Sequence, residues 1–272
     1  MAAKKNQKKI VGLIPAAGIA ARISPLPCSK EIYPVEFNNP SKNETLRPKV
    51  VSEYLIEGMQ RVHVSKVYVI IRKGKWDILS YFGSGNWMEV NFAYLVMDLP
   101  FGVPFTIDQA YHFVKDDTIV FGFPDIIFNP ADAFKRLLER QRMKKSDAVV
   151  GLFPAPQPYS TQHMVEIDSQ GCVRGFEIEP PRTKLKYTWI IAVWNSQFTD
   201  FLHEYTAIQT RRYKNIRATK EDSIAKEVSM THVLAAALQK GLKINSVTFA
   251  DGSFLDIGSP DNLKRISKNY FK

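Results

Sequence analysis

Short apolar runs and longer periodic segments alternate through the first part of the chain. Apolar runs that predict strands occur at residues 10–15, 66–71, 90–96, 118–123 and 147–153, and the run at 66–71, rich in β-branched residues, is typical of a strand buried on both faces. Between them, apolar residues recur at three- and four-residue steps, which predicts helices at 48–62, 105–115 and 130–143. Strands that alternate with helices predict a mostly parallel sheet covered by helices.

The pattern changes in the second half. Residues 164–179 predict two strands around a turn at 168–171, and residues 188–194 predict a third strand, so an antiparallel element is added. The remaining predicted elements are helices at 196–206 and 231–241, a strand at 244–249 and a final helix from Pro260. Residues 207–227 are basic with few apolar residues, which predicts a mobile surface loop.

These elements predict an α/β fold in one domain, residues 1–272. The expected architecture is a Rossmann-like, mostly parallel mixed sheet flanked by helices, with a small antiparallel β element in the second half.

Composition narrows the classes of protein that fit this pattern. The 272 residues are 45% hydrophobic and 24% charged, enough to bury a full core, and no apolar run reaches the roughly 20 residues of a membrane span. Two cysteines make neither a disulfide framework nor a zinc site. The start of the chain lacks the long apolar segment of a signal peptide, so we expect a cytoplasmic protein that does not bind membranes.

The net charge of +10 favours anionic partners. The basic residues form scattered runs, at 72–75, 135–145 and 211–220 among others, without interleaved stacking aromatics. We interpret these runs mainly as solvated surface, so nucleic acid is an unlikely partner and a nucleotide is a better one.

The segment after the first strand, residues 15–35, carries the clearest chemical signal. Small residues at Ala16, Ala17 and Gly18 let the main chain approach a ligand closely, and the turn after a strand can hold phosphate oxygens. Arg22 and Lys30 then supply cations. The dinucleotide pattern Gly-x-Gly-x-x-Gly and the Walker pattern are both missing from this segment.

The segment AAGIAAR followed by SKEIYPV resembles the signature of the sugar-1-phosphate nucleotidyltransferase family, which has a Gly-rich turn, an Arg, and a Lys followed by a Pro. Glucose-1-phosphate thymidylyltransferases and UTP-glucose-1-phosphate uridylyltransferases are the relatives suggested. Three later segments resemble family landmarks in the same order: VFGFPDIIF (120–128), MVEIDSQGCVRGFEIEP (164–180) and FLDIGSPDNL (254–263). The resemblance implies a nucleotide-binding half, 1–155, and an acceptor-binding half, 156–272.

The resemblance implies a Mg²⁺-dependent reaction in which an oxygen of a sugar 1-phosphate, or of a similar phosphate ester, attacks the α-phosphorus of a nucleoside triphosphate and releases pyrophosphate. Asp125 and Asp256 are the implied metal ligands, Lys30 would contact the α-phosphate, and Arg22 the β- and γ-phosphates. Arg22, Lys30 and Asp125 are therefore the candidate catalytic residues. Taken alone, Asp256 could instead cap a turn, and Arg22 could pair with Glu31.

The nucleotide side departs from the family pattern in two places. Ala20 and Ala21 stand where the family has Gly and Thr, so a Cβ lies where the main chain normally meets phosphate, and we expect the turn to open. Met97 and Gly102 are the implied base-binding residues, although relatives that select thymine or uracil carry a Gln near Met97. The resemblance favours dTTP or UTP, with CTP as an alternative.

The acceptor side departs further. Glu177 and Glu179 are the implied acceptor-binding residues, and Glu179 replaces the family lysine that holds the sugar phosphate. Two nearby carboxylates would repel unless a cation intervenes. The following loop offers three: Arg182, Lys184 and Lys186. With Ile190 and Ile191 replacing Thr-Gly, we predict an acceptor smaller or less hydroxylated than glucose 1-phosphate, or none.

Three functions therefore stay open. The first is the transferase. The second is a nucleotide-binding or regulatory homologue without turnover, suggested by the altered turn and by Glu179. The third is a nucleic-acid binder, suggested by the +10 charge alone. Assembly into a homo-oligomer is a further open alternative.

Overall fold

The computed structural model describes residues 9–38, 47–98, 102–218 and 227–270. In these residues the strands are β1 (Ile10–Pro15), β2 (Pro34–Asn38), β3 (Arg47–Val50), β4 (Lys66–Arg72), β5 (Phe92–Met97), β6 (Thr118–Gly122), β7 (Ile126–Asn129), β8 (Ala148–Pro154), β9 (His163–Ile167), β10 (Val173–Ile178), β11 (Tyr187–Trp194), β12 (Ile244–Thr248) and β13 (Ser253–Asp256). The helices are α1 (Val51–Gln60), α2 (Trp76–Phe82), α3 (Val103–Asp108), α4 (Tyr111–Val114), α5 (Ala133–Lys144), α6 (Ser196–Ala218), α7 (Met230–Gln239) and α8 (Pro260–Tyr270).

The main sheet takes strands from both predicted halves of the chain. Its order is β10-β9-β11-β6-β1-β4-β5, and β8 pairs with both β11 and β12. The strands β1, β4, β5 and β6 pair in parallel, whereas β11 is antiparallel to β6 and β8. The strands β9 and β10 form the predicted antiparallel hairpin. The α/β prediction, with its mixed sheet and small antiparallel element, is confirmed.

Alternation along each strand divides the core into two layers. On β1, Val11 and Leu13 pack into one apolar cluster with helices α6 and α7, while Ile14 packs into another with α1 and α5. Successive side chains of a strand point to opposite faces, so a strand that is apolar throughout serves both layers.

Two small antiparallel sheets lie beside the main one. The strands β2 and β3 form one ribbon, and β7 pairs with β13 in the other. The second ribbon aligns Ile126 with Asp256, and the Ile257 N–H donates to the carbonyl oxygen of Asp125 at 3.0 Å. This pairing joins two segments that are far apart in sequence.

Two predicted helices differ from those observed. The first begins at Val51 rather than 48, because residues 48–50 belong to β3, and the Glu53 carboxylate accepts the Val50 N–H at the helix start. The segment 105–115 is divided between α3 and α4.

The predicted surface loop at 207–227 is wrong for residues 207–218, which continue α6 as a helix, and residues 219–226 lie outside the described part of the chain. Arg, Lys, Gln and Ala favour the helical backbone even where few apolar residues are buried, so a polar segment can extend a helix that is already anchored. Among the helices of the described ranges, none has both the length and the apolar character needed to cross a bilayer.

Candidate active site

A cleft of about 510 Å³ opens at the carboxyl ends of β1 and β6, where open α/β sheets commonly bind ligands. Its lining comes from the connection between β1 and β2, the start of α3, the segments next to β7 and β13, and the residues before α7. The lining residues are Pro15, Ala17, Gly18, Ile19, Ala20, Ala21, Arg22, Lys30, Glu31, Gly102, Val103, Thr106, Phe123, Asp125, Glu227 and Gly258.

The turn after β1 forms one side of the cleft. The N–H of Ala16 donates to the carbonyl oxygen of Ile70 at 2.8 Å, which continues the parallel pairing and turns the Ala16 side chain into the core rather than the cleft. Ala17 and Gly18 line the cleft. Ala20 adopts φ +54°, a left-handed conformation that favours glycine, so this alanine keeps a glycine-like backbone despite its Cβ.

Two carboxylates and a guanidinium surround Gly258. A Cβ built on Gly258 would lie 2.9 Å from Oδ1 of Asp256 and 3.4 Å from Oδ2 of Asp125. The same point is 3.1 Å from Nη2 of Arg22. The absence of a side chain at Gly258 thus leaves room where three charged groups converge.

Lys30 completes this arrangement from the other side. Its Nζ lies 2.5 Å from Oδ2 of Asp125, and both side chains are mostly buried. We call the four residues Arg22, Lys30, Asp125 and Asp256 the charged cleft wall. The sequence predicted all four, and the fold brings them together although they come from three separate segments.

Burial and charge alter the ionisation of this wall. Burial, and then the neighbouring Asp125 carboxylate, raise the pKa of Asp256, against the opposite effects of the Gly258 N–H, Lys30 and Arg22. Burial alone would lower the pKa of the Lys30 ammonium, but Asp125 and the other nearby carboxylates outweigh burial and raise it. The wall therefore holds closely spaced like charges that a bound cation would stabilise.

The donor set suits a magnesium ion. Mg²⁺ prefers oxygen ligands and is often held by one or two carboxylates, with substrate phosphates and water completing the octahedron. Asp125 and Asp256 supply two such carboxylates facing one space, and the described residues contain no cluster of three or more His, Cys, Asp or Glu side chains arranged to hold a metal. These two residues fit the ion on the condition that a substrate supplies further oxygens.

Glu31 was missed as a site residue. It lines the cleft but is almost fully buried, and both of its carboxylate oxygens accept from Lys75 Nζ, at 2.6 and 2.7 Å. Burial raises the pKa of Glu31, against the opposing effect of Lys75, and lowers the pKa of Lys75. Lys75 rather than Arg22 is therefore the ion-pair partner of Glu31.

Of the two implied base-binding residues, Gly102 lines the cleft and Met97 does not. Gly102 lines the cleft with φ +122°, and a Cβ there would lie 2.2 Å from the carbonyl oxygen of Val228. Met97 packs, half-buried, against the core at the end of β5 and is not among the residues lining the cleft. Thr106 and Glu227, which the sequence did not single out, line the cleft with Gly102.

The implied acceptor residues lie on the β9–β10 hairpin. Glu177 is exposed on β10, and Glu179 is exposed just after that strand, with φ +50° and its N–H donating to the carbonyl oxygen of Gln162 at 2.8 Å. Neither residue lines the 510 Å³ cleft in the described part of the chain. Their roles stay predictions.

Some of the missed cleft residues had a weak signal in the sequence. Glu31 directly follows Lys30. Thr106 lies in the first turn of α3, the helix that begins directly after Gly102. Lys75 belongs to a basic run that we interpreted as solvated, and nothing in that run distinguishes a buried lysine from its neighbours.

Comparison with solved structures shows the same fold elsewhere. One similar structure is described as a glucose-1-phosphate thymidylyltransferase from Bacillus anthracis in complex with sucrose, with a TM-score of 0.74, 20% identity, and coverage of 96% of this chain and 94% of that chain. Another is a UDP-glucose pyrophosphorylase complexed with UDP-glucose, with a TM-score of 0.73, 14% identity, and coverage of 97% and 99%. No curated protein matches the sequence.

The family comparison covers nearly the whole chain. The family model described as nucleotidyl transferase matches residues 11–272, a range that includes the turn after β1, the charged cleft wall and the hairpin. The match agrees with the resemblance of the four sequence landmarks. The chain therefore belongs to the nucleotidyl transferase family of enzymes.

Proposed function

We propose that this protein is a Mg²⁺-dependent nucleotidyltransferase that joins a nucleoside triphosphate to a sugar 1-phosphate, or to a similar phosphate ester, giving a nucleotide-sugar and pyrophosphate. The observation that carries the proposal is the convergence of Arg22, Asp125 and Asp256 around Gly258, with Lys30 on Asp125. Two carboxylates beside two cations can hold a metal and a polyphosphate together, and closely spaced buried charges in a cleft are typical of functional sites.

The reaction requires two anions to approach each other. An oxygen of the acceptor phosphate forms a bond to the α-phosphorus, and the bond from that phosphorus to the bridging oxygen of the β-phosphate breaks, so that pyrophosphate leaves with the electron pair. Because no covalent intermediate with the protein is needed, catalysis rests on positioning and on neutralising charge.

Each residue of the charged cleft wall has one task. Lys30 would neutralise the α-phosphate, and Arg22 would stabilise the departing pyrophosphate. Asp125 and Asp256 would hold Mg²⁺, which when bound offsets negative charge on the phosphates. The turn formed by Ala17 and Gly18 would hold the triphosphate close to the main chain.

The substrates follow the family resemblance. We propose dTTP or UTP as the nucleotide, with CTP as the alternative, bound beside Gly102; a similar fold solved with UDP-glucose supports a nucleotide-sugar product. The acceptor would bind toward the β9–β10 hairpin, with residues 1–155 serving mainly the nucleotide and 156–272 mainly the acceptor. A cytoplasmic location and a homo-oligomeric assembly stay predictions.

The experiment measures pyrophosphate release. The purified protein is incubated with each NTP, Mg²⁺ and a panel of sugar and alcohol phosphates, with and without EDTA. We expect release with dTTP or UTP that requires both the acceptor and the metal. No release across the panel would contradict the transferase.

A second candidate is a nucleotide-binding homologue without turnover. The left-handed Ala20 and the exposed Glu179, in place of the family lysine, favour it. Nucleotide binding in calorimetry, without exchange of labelled pyrophosphate into NTP, would select this candidate.

A further inference from the structure

Lys30 is flanked by two residues that are both held by one short segment, Lys75–Asp77. On one side, the Ser29 N–H donates to Oδ2 of Asp77 at 2.7 Å, and the Ser29 hydroxyl donates to Oδ1 at 2.8 Å. The whole Asp77 carboxylate is thus engaged with the residue before Lys30. Asp77 lies in the first turn of α2, so a helix start fixes the main chain at this point.

On the other side of Lys30, Glu31 is fixed even more strongly. Lys75 Nζ donates to both carboxylate oxygens of Glu31. The Glu31 side chain is 2% exposed and the Lys75 side chain 6%. The Glu31 carbonyl oxygen also accepts from the Ser52 hydroxyl at 2.6 Å. Side chain and main chain of Glu31 are therefore anchored to two different elements.

Lys30 lies near two buried carboxylates, those of Glu31 and Asp125. Glu31 is a second buried carboxylate beside Lys30, and a buried carboxylate without a partner attracts any nearby ammonium strongly. Lys75 engages both oxygens of Glu31, and the Lys30 ammonium pairs with Asp125 at 2.5 Å. Lys30 lines the cleft, whereas Lys75 does not.

We infer that Lys75 and Asp77 are positioning residues that hold Lys30 against Asp125 for nucleotidyl transfer. The inference rests on the proposed function for its kinetic consequence, but the geometry that it predicts can be tested without turnover. A displacement of about 1 Å at a reacting group can reduce a rate about 100-fold. Loss of the contacts that hold Ser29 and Glu31 should therefore lower kcat measurably.

Three variants separate positioning from folding. Lys75→Met leaves Glu31 without its partner. The double variant Glu31→Gln with Lys75→Met removes the competing charge as well. Lys49→Met is the matched control, because the Lys49 side chain is 9% exposed, pairs with Glu57 at 2.9 Å and belongs to β3, outside the cleft-lining set.

The kinetic readout is pyrophosphate release with thermal unfolding measured in parallel. We expect Lys75→Met to lower kcat about 10- to 100-fold with the acceptor KM within about 2-fold, and the double variant to regain at least half of the loss on a logarithmic scale. Lys49→Met should lower Tm but keep kcat within about 2-fold. Equal kcat losses in Lys75→Met and Lys49→Met, or no recovery in the double variant, would overturn the inference.

Crystal structures give the second readout. In Lys75→Met we expect the Lys30 ammonium to move from Asp125 to Glu31, and in the double variant to return to Asp125. Lys30 remaining on Asp125 in Lys75→Met would contradict the inference. If the wild-type protein releases no pyrophosphate, the proposed function fails, and these structures alone decide the positioning role.

A milder variant covers the case in which Lys75→Met does not fold. Asp77→Asn keeps the shape of the side chain and weakens its hold on Ser29. We expect kcat to fall about 3- to 10-fold, and a crystal structure to show Ser29 and Lys30 displaced. Unchanged kcat together with an unchanged Lys30 position would overturn the inference.

Discussion

The charged cleft wall, apart from the exposed Arg22, and the β9–β10 hairpin are built in opposite ways. On the wall, Asp125, Asp256 and Lys30 are largely buried, and each contacts an opposite charge or a main-chain N–H at 2.5–2.7 Å. On the hairpin, Glu177 and Glu179 are exposed at the surface. A buried charge must be satisfied within the protein, whereas an exposed one is stabilised by water.

This difference indicates where the chemistry is fixed and where it can vary. Groups that neutralise phosphate must be aligned before the substrate arrives, and burial with short contacts provides that alignment. A solvated hairpin can change its charges at little cost to stability, so it can adapt to a different acceptor. The departures from the family on the hairpin are therefore less damaging to folding than equal changes on the wall would be.

The strongest test of the comparison removes one charge from the wall. Asp125→Asn keeps the side-chain shape and should lower kcat about 10²- to 10³-fold, since the ion that would offset the charge of the transition state loses one of its two carboxylate ligands. Kinetics of pyrophosphate release measure the effect. The control Asp132→Asn changes a half-exposed carboxylate that pairs with Arg136 and should leave the rate unchanged. Full activity in Asp125→Asn would refute the metal assignment.

A smaller effect is expected from filling the space in the wall. Gly258→Ala places a methyl group 2.9 Å from Asp256 Oδ1 and 3.1 Å from Arg22 Nη2, so these two groups must move, whereas Asp125 Oδ2 at 3.4 Å is in ordinary contact. We expect kcat to fall about tenfold, within the range that a misplacement of less than 1 Å produces. Gly175→Ala on β10 is the control, because its methyl group meets only the flexible end of Glu166. Equal activity of the two variants would show that the space is not used.

On the hairpin the expected effect is smaller again. Glu179→Lys restores the charge that the family carries and should lower the KM for a phosphate-bearing acceptor about 2- to 5-fold, the size of an exposed ion pair. Kinetics at varied acceptor concentration measure it. Glu166→Lys, an exposed change on β9, is the control. If both variants shift KM equally, the effect is general electrostatic attraction and Glu179 has no specific role.

The smallest effect concerns the turn after β1. Ala20→Gly removes the strain of the left-handed φ of +54°, which stabilises the folded state. Glycine also has greater freedom in the unfolded chain, which opposes this gain, so the free energy of unfolding should rise by less than about 1 kcal/mol. Urea denaturation measures this change. The substitution also restores the family glycine, so tighter NTP binding in calorimetry would identify Ala20 as a departure with a functional cost. A clear loss of stability would contradict the strain at Ala20.

The fold followed from the sequence to the extent that local pattern controls it. The continuous apolar strands β1 and β4 and the amphipathic α1 were predicted because burial on one or both faces leaves a periodic signal. The continuation of α6 through residues 207–218 was not predicted, because a polar helical segment leaves no apolar periodicity. The burial of Lys75 was likewise not predicted, because the basic run at residues 72–75 is typical of solvated surface.

Local periodicity and short motifs were enough to predict the alternation of strands and helices, the small-residue turn, and the four charged residues of the wall. The folded chain was needed to show that Asp125 and Asp256 face one space, that Lys75 rather than Arg22 pairs with Glu31, and that Met97 packs, half-buried, against the core. The physical reason is the same in each case. Pairing between segments distant along the chain depends on β-strand register and on the balance of burial against charge, and neither is visible in the order of residues.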